Sequence, residues 1–261
     1  MVNSFYAMNL GRFRAETARE LGCEESAFDS HALTVVPRPE TARYKNLASV
    51  KTFGAGTVVC VEPSYLEWTL AHAPKKHYDA FNPSALLVPL AAEAERRGDP
   101  CVIRGVMLGF ICAELAPEPS LPAGVSVLQL DRQWQAAHRE SGMFANALGE
   151  PGDVHPDEFW QFGVAFRDAE GVPMAVAGAY DDGPELLEIG VDVHRDHRGK
   201  ALGVAVVSAI SRIIHGRELT ATYFCAAANV RSHRTALACG FVPVRTHAGI
   251  RKTPQPKPAL V

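Results

Sequence analysis

The run Arg198-Gly199-Lys200-Ala201-Leu202-Gly203 sets two cationic side chains among residues with little or no side chain. Before it comes an alternating apolar run (Leu187, Ile189, Val191, Val193) with the period of a strand; after it, Val204, Ala205, Val206, Val207 and Ile210 form a helix-like run. The six residues therefore sit at a strand-to-helix junction. A helix start leaves backbone N–H groups without intrahelical partners, and the macrodipole adds roughly half a positive charge there. Small residues let that backbone approach an anion, and Arg198 and Lys200 add charge, so the N–H groups from Arg198 to Val204 suit a pyrophosphate. A tight packing turn is the other reading of such a glycine-bearing junction. About thirty residues on, Asn229 and Ser232 stand at the head of a second helix-like run that closes at Gly240-Phe241. Their side chains suit either a helix cap or a ligand contact.

Elements that would position these residues can be read along the chain. Periodicity predicts a helix over 7–21, a strand over 32–36, and strands over 49–53 and 57–61 joined by Gly54-Ala55-Gly56. Helices over 64–72 and 84–97 follow, then one or two strands over 101–114, broken near Gly105 or Gly109. Pro117, Pro119 and Pro122 mark a connector over 117–123, separating an α+β region of unknown family (1–116) from a new unit. That unit reads as a strand over 125–130, a helix over 133–148, a loop over 150–156, and strands over 159–167 and 173–180. A turn at Asp181-Asp182-Gly183 leads into the strand 186–193, the small-residue loop and its helix. A strand over 219–225, a helix over 231–239, a strand over 242–251 and a loose tail over 253–261 complete the chain.

The two motifs, in this order, resemble the acyl-CoA signature of the GCN5-related N-acetyltransferase (GNAT) family. That signature is a Q/R-x-x-G/A-x-G/A loop after a strand, then N-x-x-S or N-x-x-A before a helix closed by Gly-Phe. Here it reads Arg198-x-x-Ala201-x-Gly203, then Asn229 through Ser232 to Gly240-Phe241. The resemblance covers residues 124–252. It implies an α/β fold with a mixed, mostly antiparallel twisted sheet flanked by helices, preceded by an N-terminal α+β extension or second domain. It also implies acetyl-CoA as co-substrate, its pyrophosphate on Arg198, Gly199, Lys200, Ala201, Leu202, Gly203 and Val204, and its pantetheine arm along the Val191–Val193 edge beside a splayed strand. Asn229 and Ser232 would complete the cofactor site.

The implied reaction is acetyl transfer to a primary amine of a small molecule or a protein N-terminus, by direct attack in a ternary complex. Glu188, in the run Glu188-Ile189-Gly190 that resembles the ribosomal-protein branch of the family, is the first candidate base. Asp192, on the same face by period two, is the second. Many members carry a tyrosine as general acid seven residues after the motif asparagine; that position is Ala236 here. Water, Tyr223 or Ser232 are the alternatives for meeting the departing thiolate. Ala201 replaces the commoner glycine, which a helical backbone tolerates. A module that binds acyl-CoA without catalysis is the alternative function.

The whole chain narrows the field. Its 261 residues, 47% apolar and 21% charged, have an ordinary soluble composition, and a net charge of −3 gives no reason to expect nucleic acid or an anionic membrane as partner. A small-molecule or peptide amine is the expected partner, with room for a homodimer. The start lacks a basic segment followed by an apolar core, and the six cysteines contain no C-x-x-C pair, which reads as free thiols in a cytoplasmic setting. His194-x-x-His197 lies in the turn before the loop, so no metal site is expected.

Overall fold

The computed structural model describes residues 4–117, 121, 123–151 and 159–253. In chain order the first elements are α1 (Ser4–Leu21), β1 (Leu33–Pro37), β2 (Ala48–Thr52), β3 (Thr57–Val61), α2 (Leu66–His72), α3 (Leu87–Arg96) and β4 (Cys101–Cys112). There follow β5 (Ser126–Leu130), α4 (Arg132–Arg139), α5 (Ala145–Leu148), β6 (Trp160–Arg167), β7 (Pro173–Gly183) and β8 (Leu186–Val193). The last are α6 (Leu202–Gly216), β9 (Thr220–Ala226), α7 (Val230–Ala238) and β10 (Phe241–Lys252). They make two compact units. The loop-bearing unit comprises Met1–Phe13, Phe110–Cys225 and Asn229–Pro243; the hairpin unit comprises Arg14–Gly109, Ala226–Ala228 and Val244–Val261.

In the hairpin unit the strand order is β1-β3-β2-β10, with β1 and β3 parallel and the other pairs antiparallel. One face buries Val50, Val59, Val61 and Ile250 against Leu86, Leu87 and Leu90 at the start of α3. The other buries Val58 and Cys60 against Ala18 and Leu21 of α1 and Phe28. Two polar side chains buried on this second face have partners: Lys51 ion-pairs with Glu20, and Arg245 donates to Thr17 Oγ1 at 2.7 Å.

In the loop-bearing unit β9-β8-β7-β6-β5 lie side by side, antiparallel except for β8 and β9, which run parallel. Helix α6 covers β6, β7 and β8, while α5 covers β7 and β8. Which strand residues meet which helix follows from the pleat. A Cβ on Gly203 of α6 would touch Val193 Cγ2 at 3.4 Å, so the odd-numbered residues of β8 face α6. A Cβ on Gly190 would run into the Asn146 carbonyl of α5, so the even-numbered residues face α5. Gly178, the register partner of Gly190, meets the Ala147 carbonyl in the same way. The two glycines make a flat seat on which the backbone of α5 rests, and Trp160 Nε1 donates to the Ala147 oxygen at 3.0 Å.

The mixed, mostly antiparallel sheet flanked by helices is as expected, but several elements differ in detail. The helix expected over 133–148 is divided into α4 and α5, with Gly142 at φ +65 between them; Ser141 Oγ donates back to the His138 carbonyl and ends the first part. Of the one or two strands expected over 101–114, the structure has one, β4, which runs through Gly105 and Gly109 without a break. Helix α3 begins at Leu87, not Ser84, because Asn82 Oδ1 accepts from the Ser84 N–H and hydroxyl and holds that stretch as a turn. Asp181-Asp182-Gly183 ends β7 instead of turning. Most of the loop expected over 150–156, part of the connector over 117–123 and nearly all of the tail over 253–261 lie outside the described residues.

Candidate functional site

The loop is built by local bonds. After β8, the His194 N–H donates to the Met174 carbonyl at 2.8 Å, and Arg195–His197 form one turn of 3-10 helix. Gly199 then takes φ +81, and Ala201 takes φ 56, ψ 9. Ala201 is thus left-handed and not helical as expected, a conformation that costs a residue bearing a Cβ about 1 kcal/mol. The two reversals turn the chain into α6, whose first bond runs from the Ala205 N–H to the Ala201 carbonyl at 3.1 Å. The N–H groups of Leu202, Gly203 and Val204 stand at this helix start, where no carbonyl one turn earlier in the helix can receive them. Arg198, Gly199, Lys200 and Ala201 are exposed, while Leu202 is buried and anchors the turn. The result is an anion cradle at the head of a fifteen-residue helix, open to solvent.

Beside the cradle lies a free strand edge. The pairing of β8 with β9 covers Leu186, Leu187 and Glu188 against Thr220, Ala221 and Thr222. On its other side β8 pairs with β7 as far as Val193. The backbone from Ile189 to Val193 is therefore held by β7, while its opposite edge has no ladder partner among the described residues, so an extended amide chain can add there as a strand would. Val191 and Val193 point toward α6, and the Val193 carbonyl accepts from Arg198 Nε at 3.3 Å.

Glu188 and Asp192 share the α5 face of β8, as the period-two reading requires. The Asp192 carboxylate is engaged: Oδ2 accepts from the N–H groups of Asn146 at 2.8 Å and Ala147 at 3.1 Å, and Oδ1 from Asn146 Nδ2 at 2.7 Å. Burial pushes its pKa above the ordinary value, against these bonds and nearby Arg198. Glu188 lies at the last position paired with β9, opposite Thr222 on that side and Tyr180 of β7 on the other.

Asn229 and Ser232 are brought together at the start of α7: the Ser232 N–H donates to Asn229 Oδ1 at 3.2 Å, a helix cap. A contact that sequence spacing did not specify lies beneath them. Tyr223, buried on β9, sets its Oη 2.7 Å from Ser232 Oγ. Burial pushes the Tyr223 phenol up to about 12, so it stays protonated. Ala236, one turn beyond Ser232, is fully buried. Among the described residues no cluster of His, Cys, Asp and Glu could hold a metal ion, and no helix is long and apolar enough to cross a membrane.

This loop, edge and capped helix lie within residues 125–241, which match the model of the acetyltransferase (GNAT) family. Over these residues the chain is similar to the GNAT acetyltransferase family. Solved structures agree on the fold. A Drosophila protein is similar at a TM-score of 0.51 and 15% identity, over 97% of this chain and 91% of its own. A GCN5-related N-acetyltransferase from Sphaerobacter thermophilus is similar at 0.50 and 14% identity, over 75% and 71% of the two chains. A GCN5-related N-acetyltransferase-like protein from Streptococcus suis aligns at 0.48 and 17% identity over 62% of this chain and 66% of its own, just under two thirds. No curated protein matches the sequence.

Proposed function

We propose that the protein is an acetyl-CoA-dependent N-acetyltransferase acting on a primary amine of a small molecule or a protein N-terminus in the reducing interior of the cell. One observation carries this reading: a free strand edge, Ile189–Val193, leads directly into an exposed anion cradle at the head of α6. An acyl-CoA presents a diphosphate joined to a chain of amides ending in a thioester. The cradle, from Arg198 to Val204, suits the diphosphate, and the edge at Val191 and Val193 suits the amides. Asn229 and Ser232 flank the far side of the gap.

Bound acetyl-CoA would supply the thioester carbonyl as electrophile. Strand N–H groups facing the gap polarise that carbonyl, and Glu188 accepts the proton that an ammonium must lose before it attacks. Asp192, the other carboxylate on this face, holds α5 in place through its three hydrogen bonds.

The test is calorimetric titration with acetyl-CoA and CoA, using Gly199→Asp and Gly199→Asn. Both side chains tolerate the left-handed backbone that Gly199 adopts, so the pair differs in charge alone. Micromolar binding by the wild type, with the Asp variant at least about tenfold weaker than the Asn variant, is the expected result. Saturable binding to the wild type with equal affinities for the two variants would remove the diphosphate from this loop. In an amine screen, Glu188→Gln should lower kcat by about a hundredfold and leave acetyl-CoA affinity in place.

A further inference from the structure

The pleat assigns the two sides of the gap to different chemistry. Glu188 and its register partner Thr222 lie on the α5 face, so the next residue of β9, Tyr223, lies on the opposite face with α6 and α7. Tyr223 is also the first residue beyond the paired part of β9, at the point where the two strands separate. From Val193 back to Glu188 the strand spans about 17 Å at roughly 3.3 Å per residue, the reach of an extended pantetheine arm. A cofactor with its diphosphate in the cradle therefore brings its sulfur to this point of separation, with Glu188 on one side and the Tyr223–Ser232 pair on the other. Attack from the Glu188 side sends the leaving group toward the hydroxyls.

We propose that Ser232 is a catalytic residue that donates a hydrogen bond to the sulfur of departing CoA, and that Tyr223 is its positioning residue, donating to Ser232 Oγ and turning the serine proton toward the sulfur. The inference rests on the acetyl-CoA reading above. Because Tyr223 is buried and its phenol stays un-ionised at neutral pH, it keeps a proton with which to donate to Ser232 Oγ, 2.7 Å away. In the step served, the amine nitrogen forms its bond to the carbonyl carbon and releases its extra proton to solvent as the C–S bond breaks. The electron pair goes to sulfur, and the thiolate is held by the Ser232 O–H until solvent protonates it. The pair thereby does the work left undone at Ala236, whose buried methyl offers no donor.

The measurement is the thiol pKa of CoA bound to the protein, read from the ultraviolet absorbance of the thiolate across pH at saturating CoA. The complex with desulfo-CoA, which lacks the sulfur, serves as blank and removes the signal of the protein's own cysteines. A hydroxyl donating to sulfur stabilises the thiolate, so the wild-type complex should titrate below free CoA. Ser232→Ala and Tyr223→Phe should each raise the midpoint by about one pH unit, a tenfold change in ionisation, and Ser232→Thr should restore it. Ser232→Ala retains the backbone N–H that Asn229 caps, and Tyr223→Phe retains the ring, so each variant loses a hydroxyl and little else. Tight CoA binding with one midpoint shared by the wild type and both variants would overturn the assignment and leave the acetyl-CoA reading standing. Failure of the wild type to bind CoA would overturn both.

Discussion

Ala201 shows how one residue can oppose its own backbone. Its φ of 56 places a Cβ where glycine is the unstrained choice, and its neighbours impose this because the chain must reverse between the exposed Gly199 and the buried Leu202. Ala201→Gly is expected to stabilise the protein by about 0.5 kcal/mol in urea unfolding, the left-handed cost being partly offset by the added freedom of the unfolded chain. The same substitution leaves the helix-start N–H groups untouched, so acetyl-CoA affinity should change less than twofold, roughly, in calorimetry. A destabilised Ala201→Gly variant would mean that the methyl group makes packing contacts worth more than the strain.

Among the elements, α5 depends most on its surroundings. Four residues make a helix too short to persist alone, so its position is set by the sheet beneath it. Asp192 binds its first N–H groups, Trp160 binds its Ala147 carbonyl, and Gly178 and Gly190 admit its backbone. Gly190→Ala should therefore cost about 3 kcal/mol, since the new methyl meets backbone and not a side chain that can turn away. Hydrogen exchange would report the loss first at 144–148 and at β7 and β8. Uniform protection in the variant would show that α5 can lift without disturbing the strands. The division of the expected helix 133–148 belongs here too. Apolar spacing runs on across Ser141-Gly142; the Ser141 bond to the His138 carbonyl ends α4, and docking against Asp192 and the two glycines holds α5 as a separate helix.

For the whole molecule, pH is the informative variable, because the hairpin unit buries cations together. His247 is pushed down to about 2 by burial foremost, then by Lys51, Arg245 and Arg104. It stays neutral in the folded protein, whereas an unfolded chain protonates it near its ordinary value of 6.5. Between pH 6.5 and about 2 the unfolded state thus holds one more proton, and stability falls as pH falls through this window. The loss from pH 7 to pH 5 should be about 2 kcal/mol by urea unfolding, and His247→Gln should abolish it. Glu20 works in a lower range. Burial raises its pKa, but Lys51, Arg245 and Arg43 outweigh that and hold it below the ordinary value, so its contribution is full above about 4.5 and lost as pH falls further. A variant at His247 with the same slope as the wild type would place the acid sensitivity elsewhere.

What was legible in the residues was mostly local. The strand-loop-helix junction at 193–204 and the cap at Asn229 depend on neighbours within a few positions, and the family signature is written in those same residues, so spacing alone located them. The alternation that puts Glu188 and Asp192 on one face is a property of any strand. Contacts between distant residues were not legible: that Asp192 closes on Asn146, 46 positions away, or that β8 and β9 part after Glu188. The meeting of Tyr223 with Ser232 needed the packing of α7 on β9, and the left-handed turn at Ala201 needed Leu202 to be buried. Short-range hydrogen-bonding demands act on a residue before the chain folds and so leave their mark in its sequence. Which carboxylate becomes occupied, and which hydroxyl faces the gap, depends on surfaces that exist only once the sheet has formed.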